Sequence, residues 1–167
     1  MRARAGLLAG VTLLVAACGG TVAGGGGGGG SEGSTEPLKV GVITGLTGAY
    51  VQLGEEQRNG AELAVKLLDG KAGDRPIELI VRDDQLKPDI ALREAQALVQ
   101  EEQVDFLTGC VSAATTLAVN QIASQAGVPY LGTCQTEQLN RPPNYDEAVT
   151  YHLAPTPSQG INSAATR

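Results

Sequence analysis

The sequence predicts an α/β fold built on a doubly wound, mostly parallel sheet. From residue 37 to about residue 153, short runs rich in β-branched residues alternate with longer segments whose apolar residues recur at helical spacing. Strands that are separated by helices form parallel sheets with helices on both faces. The chain is 42% hydrophobic, which supplies enough apolar side chain for a folded core.

The first half of this region predicts two strands and two helices. Leu38–Ile43 and Ile77–Arg82 are short β-branched runs of the length of a strand. Glu55–Asp69 is a predicted helix because its alanines and leucines fall on one face. Pro88–Glu102 is a second predicted helix, since Pro88 suits the first helical turn and an apolar face follows it.

The second half continues the alternation of strands and helices. Ser112 is predicted to cap a third helix that runs to about Gln125 and stops at Gly127. Thr156-Pro157-Ser158 has the pattern of a further helix start. The remaining predicted strands are Val104–Gly109, Val128–Gly132 and Val149–Leu153.

Residues 1–18 have the pattern of an export signal. Arg2 and Arg4 precede an apolar stretch over residues 5–17, shorter than the about 20 residues that a membrane-spanning helix needs. Small residues lead to Cys18 and resemble a lipoprotein signal, in which lipid on the Cys18 thiol would anchor the protein at the outer face of the cytoplasmic membrane. The alternative is an ordinary secretory signal with an incidental cysteine.

The segment that follows Cys18 is predicted to be a flexible tether. Twelve of the 23 glycines lie in residues 1–36, and glycine, serine and threonine dominate residues 19–36. Such a segment has little apolar surface to bury. We therefore expect a leader at 1–18, a tether at 19–36 and one folded region at 37–167.

The distribution of charge excludes one class of partner. The charges of the first 36 residues cancel, so the net charge of −6 lies in residues 37–167. Nucleic-acid binding depends on clustered Lys and Arg against phosphate, and it often uses aromatic side chains for stacking. With an acidic domain, 3% aromatic residues and no Trp, the chain is not expected to bind nucleic acid.

Loops after the strands are the predicted location of a ligand site. Parallel sheets bind ligands outside the carboxyl ends of their strands, at the point where the strand order reverses. The corresponding loops are 44–54, 83–88, 110–114 and 133–147. Their glycines match neither the dinucleotide nor the P-loop spacing, so no nucleotide cofactor is predicted. Backbone N–H groups at the start of the third helix favour an anion such as a carboxylate, although capping by Ser112 alone explains the same pattern.

Acidic and histidine side chains do not indicate catalysis. Asp83 and Asp84 follow the second strand and are interpreted as turn formers at a solvated edge, because no histidine lies near them in the sequence. His152 is the only histidine and is expected to pack or hydrogen-bond near a strand end. No metal site and no cofactor are predicted.

Two cysteines lie just beyond the ends of neighbouring predicted strands. Cys110 and Cys134 are therefore predicted to form a disulfide, which would persist in an oxidising compartment. The alternative is a pair of buried free thiols. A catalytic cysteine is disfavoured because no histidine partner is evident.

Residues 38–167 resemble the periplasmic ligand-binding proteins of the leucine/isoleucine/valine-binding type, which are the receptors of ABC importers. The resemblance extends over LKVGVITGLTGAYVQLGEEQRNGAELAV, IELIVRDDQLKPDIALREAQALV and VDFLTGCVSAATTLAVNQIASQAGVPYLGTC. It implies the first lobe of a two-lobe fold that closes on a ligand without covalent chemistry. Members are about twice as long as one lobe, so this chain is expected to hold an incomplete first lobe.

The resemblance also implies which residues contact the ligand. Two loops would hold the carboxylate and ammonium groups of an amino acid, and the loop before them would border its side chain. Ala113 stands where the family has a serine, and Leu86 and Ser112 stand where the family often has a disulfide. The implied contacts are Val111, Ser112, Ala113, Cys134, Gln135 and Thr136, with Tyr50 and Leu53 at the side-chain pocket.

The sequence therefore predicts an exported, lipid-anchored receptor that binds an amino acid of the branched-chain type, or a similar small polar solute, and delivers it to an ABC permease. One alternative is a tethered sensory domain of the same fold, and a less favoured one is an exported α/β enzyme. An enzyme would need a nucleophile with its base or a metal cluster, and neither pattern is evident in the sequence.

Overall fold

A computed structural model of the chain describes residues 35–159. The predicted leader with Cys18, nearly all of the predicted tether and residues 160–167 lie outside the described residues. The described strands are β1 (Leu38–Thr44), β2 (Lys71–Ala72), β3 (Arg75–Asp83), β4 (Phe106–Gly109), β5 (Tyr130–Gly132) and β6 (Thr150–His152). The helices are α1 (Val51–Leu67), α2 (Pro88–Gln100), α3 (Ala113–Ala126) and a 3₁₀ turn at Gln138–Asn140.

The six strands form one sheet in the order β2-β3-β1-β4-β5-β6. All neighbours are parallel except β2, which pairs with β3 in the antiparallel sense. The chain passes from β1 to β3 on one side and then returns to the other side of β1 to form β4. This reversal confirms the predicted doubly wound, mostly parallel α/β fold and locates its switch point between β1 and β4.

Helices cover the two faces of the sheet unequally. Side chains alternate along β1, so that Val40 borders α1 while Gly41 lies beneath Leu98 of α2 on the opposite face. The α2 and α3 face holds most of the buried core. Its fully buried members include Ile43, Ala91, Ala95, Leu98, Leu107, Val119, Ala123 and Tyr130.

The α1 face is only partly covered. Helix α1 packs over β1 and β3, and an apolar groove of about 280 Å³ remains between it and the neighbouring strands. Phe106 and Leu131 line this groove, and Leu63, Leu67 and Tyr151 are exposed large apolar side chains. An apolar sheet face of this kind leaves surface that a further element of structure would bury.

Several element boundaries differ from the predicted ones. Helix α1 begins at Val51, four residues before the predicted start, because Gly54 lies inside its first turn instead of ahead of it. Strand β2 was not predicted, since Lys71–Ala72 carries no strand pattern and pairs with β3 only through a tight turn at Gly73, where φ is 62°. Strands β4 and β5 each begin two residues later than predicted.

Two of the predicted helix ends are confirmed by the structure, and one predicted side-chain cap is wrong. Ser112 occupies the N-cap position of α3, but its side chain makes no capping hydrogen bond, so the predicted cap is wrong in its chemistry. Gly127 ends α3 in the left-handed conformation as predicted, with φ at 70°. The helix predicted at Thr156 begins at Pro157, and the Thr156 backbone N–H donates to Gln159 Oε1 at 2.9 Å in a capping box.

Glycine at position 54 is required by a close approach of two backbone segments. A Cβ at Gly54 would collide with the carbonyl oxygen of Gly45, which belongs to the loop that leaves β1. We expect Gly54→Ala to lower the free energy of unfolding by about 2 kcal/mol, since neither backbone segment can move aside cheaply.

The matched control for Gly54→Ala is Gly60→Ala in the same helix, where nothing lies within 4 Å of the new methyl group. Alanine there is expected to raise the free energy of unfolding by up to about 1 kcal/mol through helix propensity. Urea unfolding of both variants measures the difference. Equal effects of the two substitutions would contradict the close approach.

Candidate ligand-binding site

A crevice of about 630 Å³ opens at the switch point of the sheet, where the carboxyl ends of β1, β4 and β5 meet the start of α1. A groove of similar volume lies between α2 and α3, but no strand end opens into it. The crevice is the location that the strand order favours for a ligand. It is lined by Leu53, Glu56, Gln57, Cys110, Val111, Thr133, Cys134 and Gln135.

Half of the predicted contact residues line this crevice. Leu53, Val111, Cys134 and Gln135 form part of its wall, although contact with a ligand stays a prediction for each of them. Ser112 and Ala113 follow directly at the amino end of α3. The first N–H groups of a helix have no partner within the helix, and Ser112 does not cap them, so this end is open to an anion.

Two more of the predicted contact residues, Tyr50 and Thr136, also lie outside the crevice wall. Tyr50 is 55% exposed and immediately precedes α1. Thr136 is buried, and its hydroxyl accepts a hydrogen bond from the Gln138 N–H at 3.3 Å. That hydroxyl stabilises the 3₁₀ turn of its own loop, and contact of Thr136 with a ligand stays a prediction.

The end of β4 is turned sharply against β1. Gly109 and Cys110 both have positive φ, at 110° and 69°, and the Cys110 N–H donates to the Ile43 carbonyl at 2.6 Å. A Cβ at Gly109 would collide with the same carbonyl oxygen. Positive φ is uncommon for a residue other than glycine, so Cys110 is held in a costly conformation by its surroundings.

The predicted disulfide between Cys110 and Cys134 is wrong, because both are free thiols. The backbone conformation at Cys110 directs its side chain into the core, where it is fully buried among apolar residues. The half-buried Cys134 thiol instead donates to the Val111 carbonyl at 3.2 Å. The alternative of two free thiols therefore describes the structure, with only Cys110 fully buried.

Burial makes both thiols weak acids. It raises the pKa of Cys110 to about 12 and also raises the pKa of Cys134. Both side chains are therefore protonated at neutral pH, and a protonated thiol is a poor nucleophile. His152 Nε2 donates to the Cys134 carbonyl at 2.7 Å, and its Nδ1 lies 3.2 Å from Asn140 Oδ1, which agrees with its predicted hydrogen-bonding place at a strand end.

Gln57 is a crevice residue that the sequence interpretation missed. Its Oε1 accepts from the Thr44 hydroxyl at 2.7 Å, and its Nε2 donates to the Cys110 carbonyl at 3.1 Å and the Thr133 hydroxyl at 3.0 Å. One side chain thus contacts the ends of three strands. The sequence does carry a signal for Gln57. This polar residue lies four positions before Ala61, on the face of α1 that is otherwise apolar and packs on the sheet.

The two neighbouring aspartates have opposite surroundings. Asp83 accepts hydrogen bonds from the Leu46 N–H and the Thr47 hydroxyl, each at 2.8 Å, and so holds the loop after β1. Asp84 is fully buried and accepts from the Leu86 N–H at 2.8 Å, so its interpretation as part of a solvated edge is wrong. Both residues do shape the turn after β3. Within residues 35–159, no cluster of His, Cys, Asp and Glu is arranged to hold a metal ion.

The pKa values of these aspartates move in opposite directions. Burial alone would raise the pKa of Asp83, but hydrogen bonds from Gln85, Thr47 and Leu46 outweigh it and leave this pKa below its ordinary value. Burial raises the pKa of Asp84, and the nearby Asp83 charge raises it further, against a lowering by hydrogen bonds from Leu86 and Thr115.

Comparison with known proteins agrees with this geometry. The sequence profile of the family described as periplasmic binding protein matches residues 37–167. The Leu/Ile/Val-binding protein homolog 7 of Brucella abortus (strain 2308) is 32% identical over 107 residues, which is 62% of this chain and 27% of that protein.

Two solved structures of solute-binding proteins of ABC transporters are similar in sequence as well as fold. One, from Rhodopseudomonas palustris BisB5 with 3,4-dihydroxybenzoic acid, is 28% identical with a TM-score of 0.62 and covers 71% of this chain and 31% of its own. Another, from R. palustris with benzoate, is 35% identical with a TM-score of 0.55 and covers 57% of this chain and 27% of its own.

The fold and the matched sequence place the chain in the class of periplasmic binding proteins. It belongs to the periplasmic binding protein family, and the part it shares with these relatives spans roughly a third of their length or less. The described residues correspond to one lobe of that fold. Membership implies an extracytoplasmic location, and none of the helices within residues 35–159 has the length and apolar character to cross a membrane.

The two aspartates are expected to affect stability with opposite signs. Asp83→Asn should lower the melting temperature at pH 7, and the loss should disappear as the pH falls through the lowered pKa of Asp83, where its carboxylate becomes protonated. Asp84→Asn should raise the melting temperature at pH 7, because the buried charge is removed. That gain should shrink as the pH falls through the raised pKa of Asp84 and the wild-type carboxyl takes up its proton.

Melting curves by circular dichroism between pH 7 and pH 3 measure both aspartate variants against the wild type. Each variant is the matched control of the other, since the residues are adjacent and the substitution is the same. If both variants shifted the melting temperature in the same direction at pH 7, the opposite surroundings assigned to Asp83 and Asp84 would be contradicted.

Proposed function

We propose that the protein is the solute-binding receptor of an ABC importer, exported and anchored by lipid on Cys18 at the outer face of the cytoplasmic membrane. The observation that carries this proposal is the crevice at the switch point, which has the size and position of a small-molecule site. Family membership supports the same class of function.

In this proposal the described lobe supplies one wall of the binding site. A second lobe would close over the crevice and trap the solute, and the closed form would be presented to the permease. One open wall buries only part of a ligand, so a single lobe should bind weakly. The tether after Cys18 would leave the lobe free to reach a membrane partner.

An enzymatic function is disfavoured by the chemistry of the crevice wall. Its two cysteines have raised pKa values, and the Cys134 thiol donates to the Val111 carbonyl, which is not a base. The only histidine side chain already contacts Asn140 and the Cys134 carbonyl. We therefore propose a binding role without covalent chemistry.

The proposed solute is a small carboxylate, and an amino acid of the branched-chain type is the leading candidate. Glu56 is the one charged side chain among the residues that line the crevice in the described part of the chain. An amino acid could direct its carboxylate to the open amino end of α3 and its ammonium group toward Glu56. Leu53 and Val111 offer apolar contact for the rest of the molecule.

An aromatic carboxylate is the second candidate. The relatives with benzoate and 3,4-dihydroxybenzoic acid bind acids that carry no ammonium group. Such a ligand would use the amino end of α3 in the same way and make no use of Glu56. The ammonium group therefore separates the two candidates.

Lipid attachment is expected to depend on Cys18. Growth of cells with an alkyne analogue of palmitate should label the wild-type protein and move it to the membrane fraction. Cys18→Ser should abolish both. The control is Cys134→Ser, which leaves Cys18 in place and should remain labelled. Cleavage without labelling of the wild type would indicate an ordinary secretory signal.

Thermal unfolding with a panel of solutes tests the proposed ligand class. Leucine, 4-methylpentanoate, benzoate, glucose and AMP are compared at millimolar concentrations. A ligand at 100 times its dissociation constant stabilises by about 2.7 kcal/mol. Leucine is expected to shift the melting temperature most, and 4-methylpentanoate less. A shift with AMP or glucose alone would overturn the carboxylate assignment, and benzoate above leucine would favour the aromatic candidate.

The same panel with Glu56→Gln tests how the ammonium group is recognised. This variant should reduce the preference for leucine over 4-methylpentanoate about five-fold, which is the upper range for an exposed ion pair. Glu55→Gln is the matched control, since Glu55 is also exposed on α1 but does not line the crevice. It should leave the preference unchanged.

A further inference from the structure

We infer that Gln57 is a positioning residue of the ligand site: its carboxamide holds the loops after β4 and β5 at the separation that the solute requires. This inference rests on the proposed function. It concerns a residue on α1 that is not among the predicted contact residues. Gln57 is half-buried and forms the back of the crevice wall.

The orientation of the Gln57 carboxamide is set by its three partners. The Thr44 hydroxyl, which is fully buried, donates to Oε1, while the Cys110 carbonyl can only accept and must face Nε2. A flipped amide would place Oε1 against the Cys110 carbonyl, and the two oxygens would repel each other. Both Nε2 hydrogens have acceptors, so the group supports the crevice instead of reaching into it.

Thr133 connects the Gln57 amide to the remaining strand end. Its hydroxyl accepts from Nε2 at 3.0 Å and donates to the Gly109 carbonyl at 2.9 Å. The loop after β5 is thus joined to the end of β4 through the Gln57 amide and the Thr133 hydroxyl, beside the Thr133 N–H, which donates to the Gly109 carbonyl at 3.4 Å. Val111 and Cys134, which follow these contacts in the chain, line the crevice and are joined by the hydrogen bond from the Cys134 thiol to the Val111 carbonyl.

Removal of the Gln57 amide is expected to change the backbone conformation of Cys110 most. Its positive φ is unfavourable. Its N–H donates to the Ile43 carbonyl, and its own carbonyl accepts from Gln57 Nε2 at 3.1 Å and from the Thr133 hydroxyl at 3.3 Å. Loss of the Gln57 bond leaves the carbonyl with the longer contact alone, which lets the residue relax. The neighbouring Val111 and the start of α3 would then move with it, and a binding site tolerates shifts of only about 0.5 Å.

Only a carboxamide satisfies this set of partners. The Thr44 hydroxyl needs an acceptor, whereas the Cys110 carbonyl needs a donor. A glutamate at this position cannot donate when it is ionised, and a lysine cannot accept. Methionine has nearly the same length and shape as glutamine and makes none of the three hydrogen bonds, so Gln57→Met removes the contacts with little change in volume.

The test combines Gln57→Met with Thr133→Val in the full chain. Binding of leucine and benzoate is followed by backbone amide NMR shifts up to millimolar concentrations, together with hydrogen exchange of the Cys110 and Thr133 amides without ligand. Each single variant should weaken binding about ten-fold, the effect of one or two lost hydrogen bonds. The double variant should be about as weak as either single one, because both remove the same bridge.

A stability control separates positioning from simple destabilisation. Gly127→Ala strains the left-handed end of α3, which lies one helix length of about 21 Å from its amino end. It should lower the melting temperature and leave binding unchanged. Thr133→Ser keeps the hydroxyl and should recover the affinity that Thr133→Val loses.

The outcomes distinguish a failure of the positioning role of Gln57 from a failure of the proposed receptor function. The positioning role is overturned if Gln57→Met binds the solute with wild-type affinity. It is also overturned if the fold-losses of affinity in the two single variants multiply in the double variant. Either result leaves the receptor function intact. If the wild-type chain binds neither leucine nor benzoate, the proposed ligand class fails. Exchange at Cys110 and Thr133 then still tests the bridge: it should be about ten-fold faster in Gln57→Met, and unchanged exchange would overturn the inference.

Discussion

The hydrogen bond from the Cys110 N–H to the Ile43 carbonyl is the contact on which the site depends. It joins the last turn of β4 to the end of β1, and it requires glycine at position 109 because no Cβ fits beside that carbonyl. The turn brings α3 to its starting point directly after the crevice wall. The strand order makes this the place where the chain changes sides, so this close contact lies where the crevice opens.

The local pattern of apolar residues was sufficient to predict the longer strands and helices, but it was not sufficient for the shortest strand or for the start of α1. The β-branched runs at β1 and β3 and the helical spacing of α2 and α3 are properties of ten or so consecutive residues, and each was predicted. Strand β2 has two residues and exists only because the long β3 offers it a partner across a tight turn. The start of α1 was missed because Gly54, a helix breaker in isolation, is required there by the approach of the loop after β1.

Side-chain direction explains the errors within the site. The loops that surround the crevice follow from topology, but the disulfide depended on where two side chains point. The left-handed backbone of Cys110 directs one thiol into the core, and the Val111 carbonyl holds the other. Asp84 is buried for a related reason: adjacent residues point apart, so when Asp83 binds the loop, Asp84 faces inward. Gln57 was missed because its partners are separated from it by 13, 53 and 76 positions in the chain.

The conformation of Cys110 also limits how this position can change during evolution. Its backbone favours glycine, which pays no penalty at positive φ, whereas its place beside Tyr130 in the core favours a side chain that fills space. A larger residue would strain both the backbone and the packing, and glycine would leave a void. Few amino acids meet both demands, so substitution at this site during evolution should be slow and confined to small side chains.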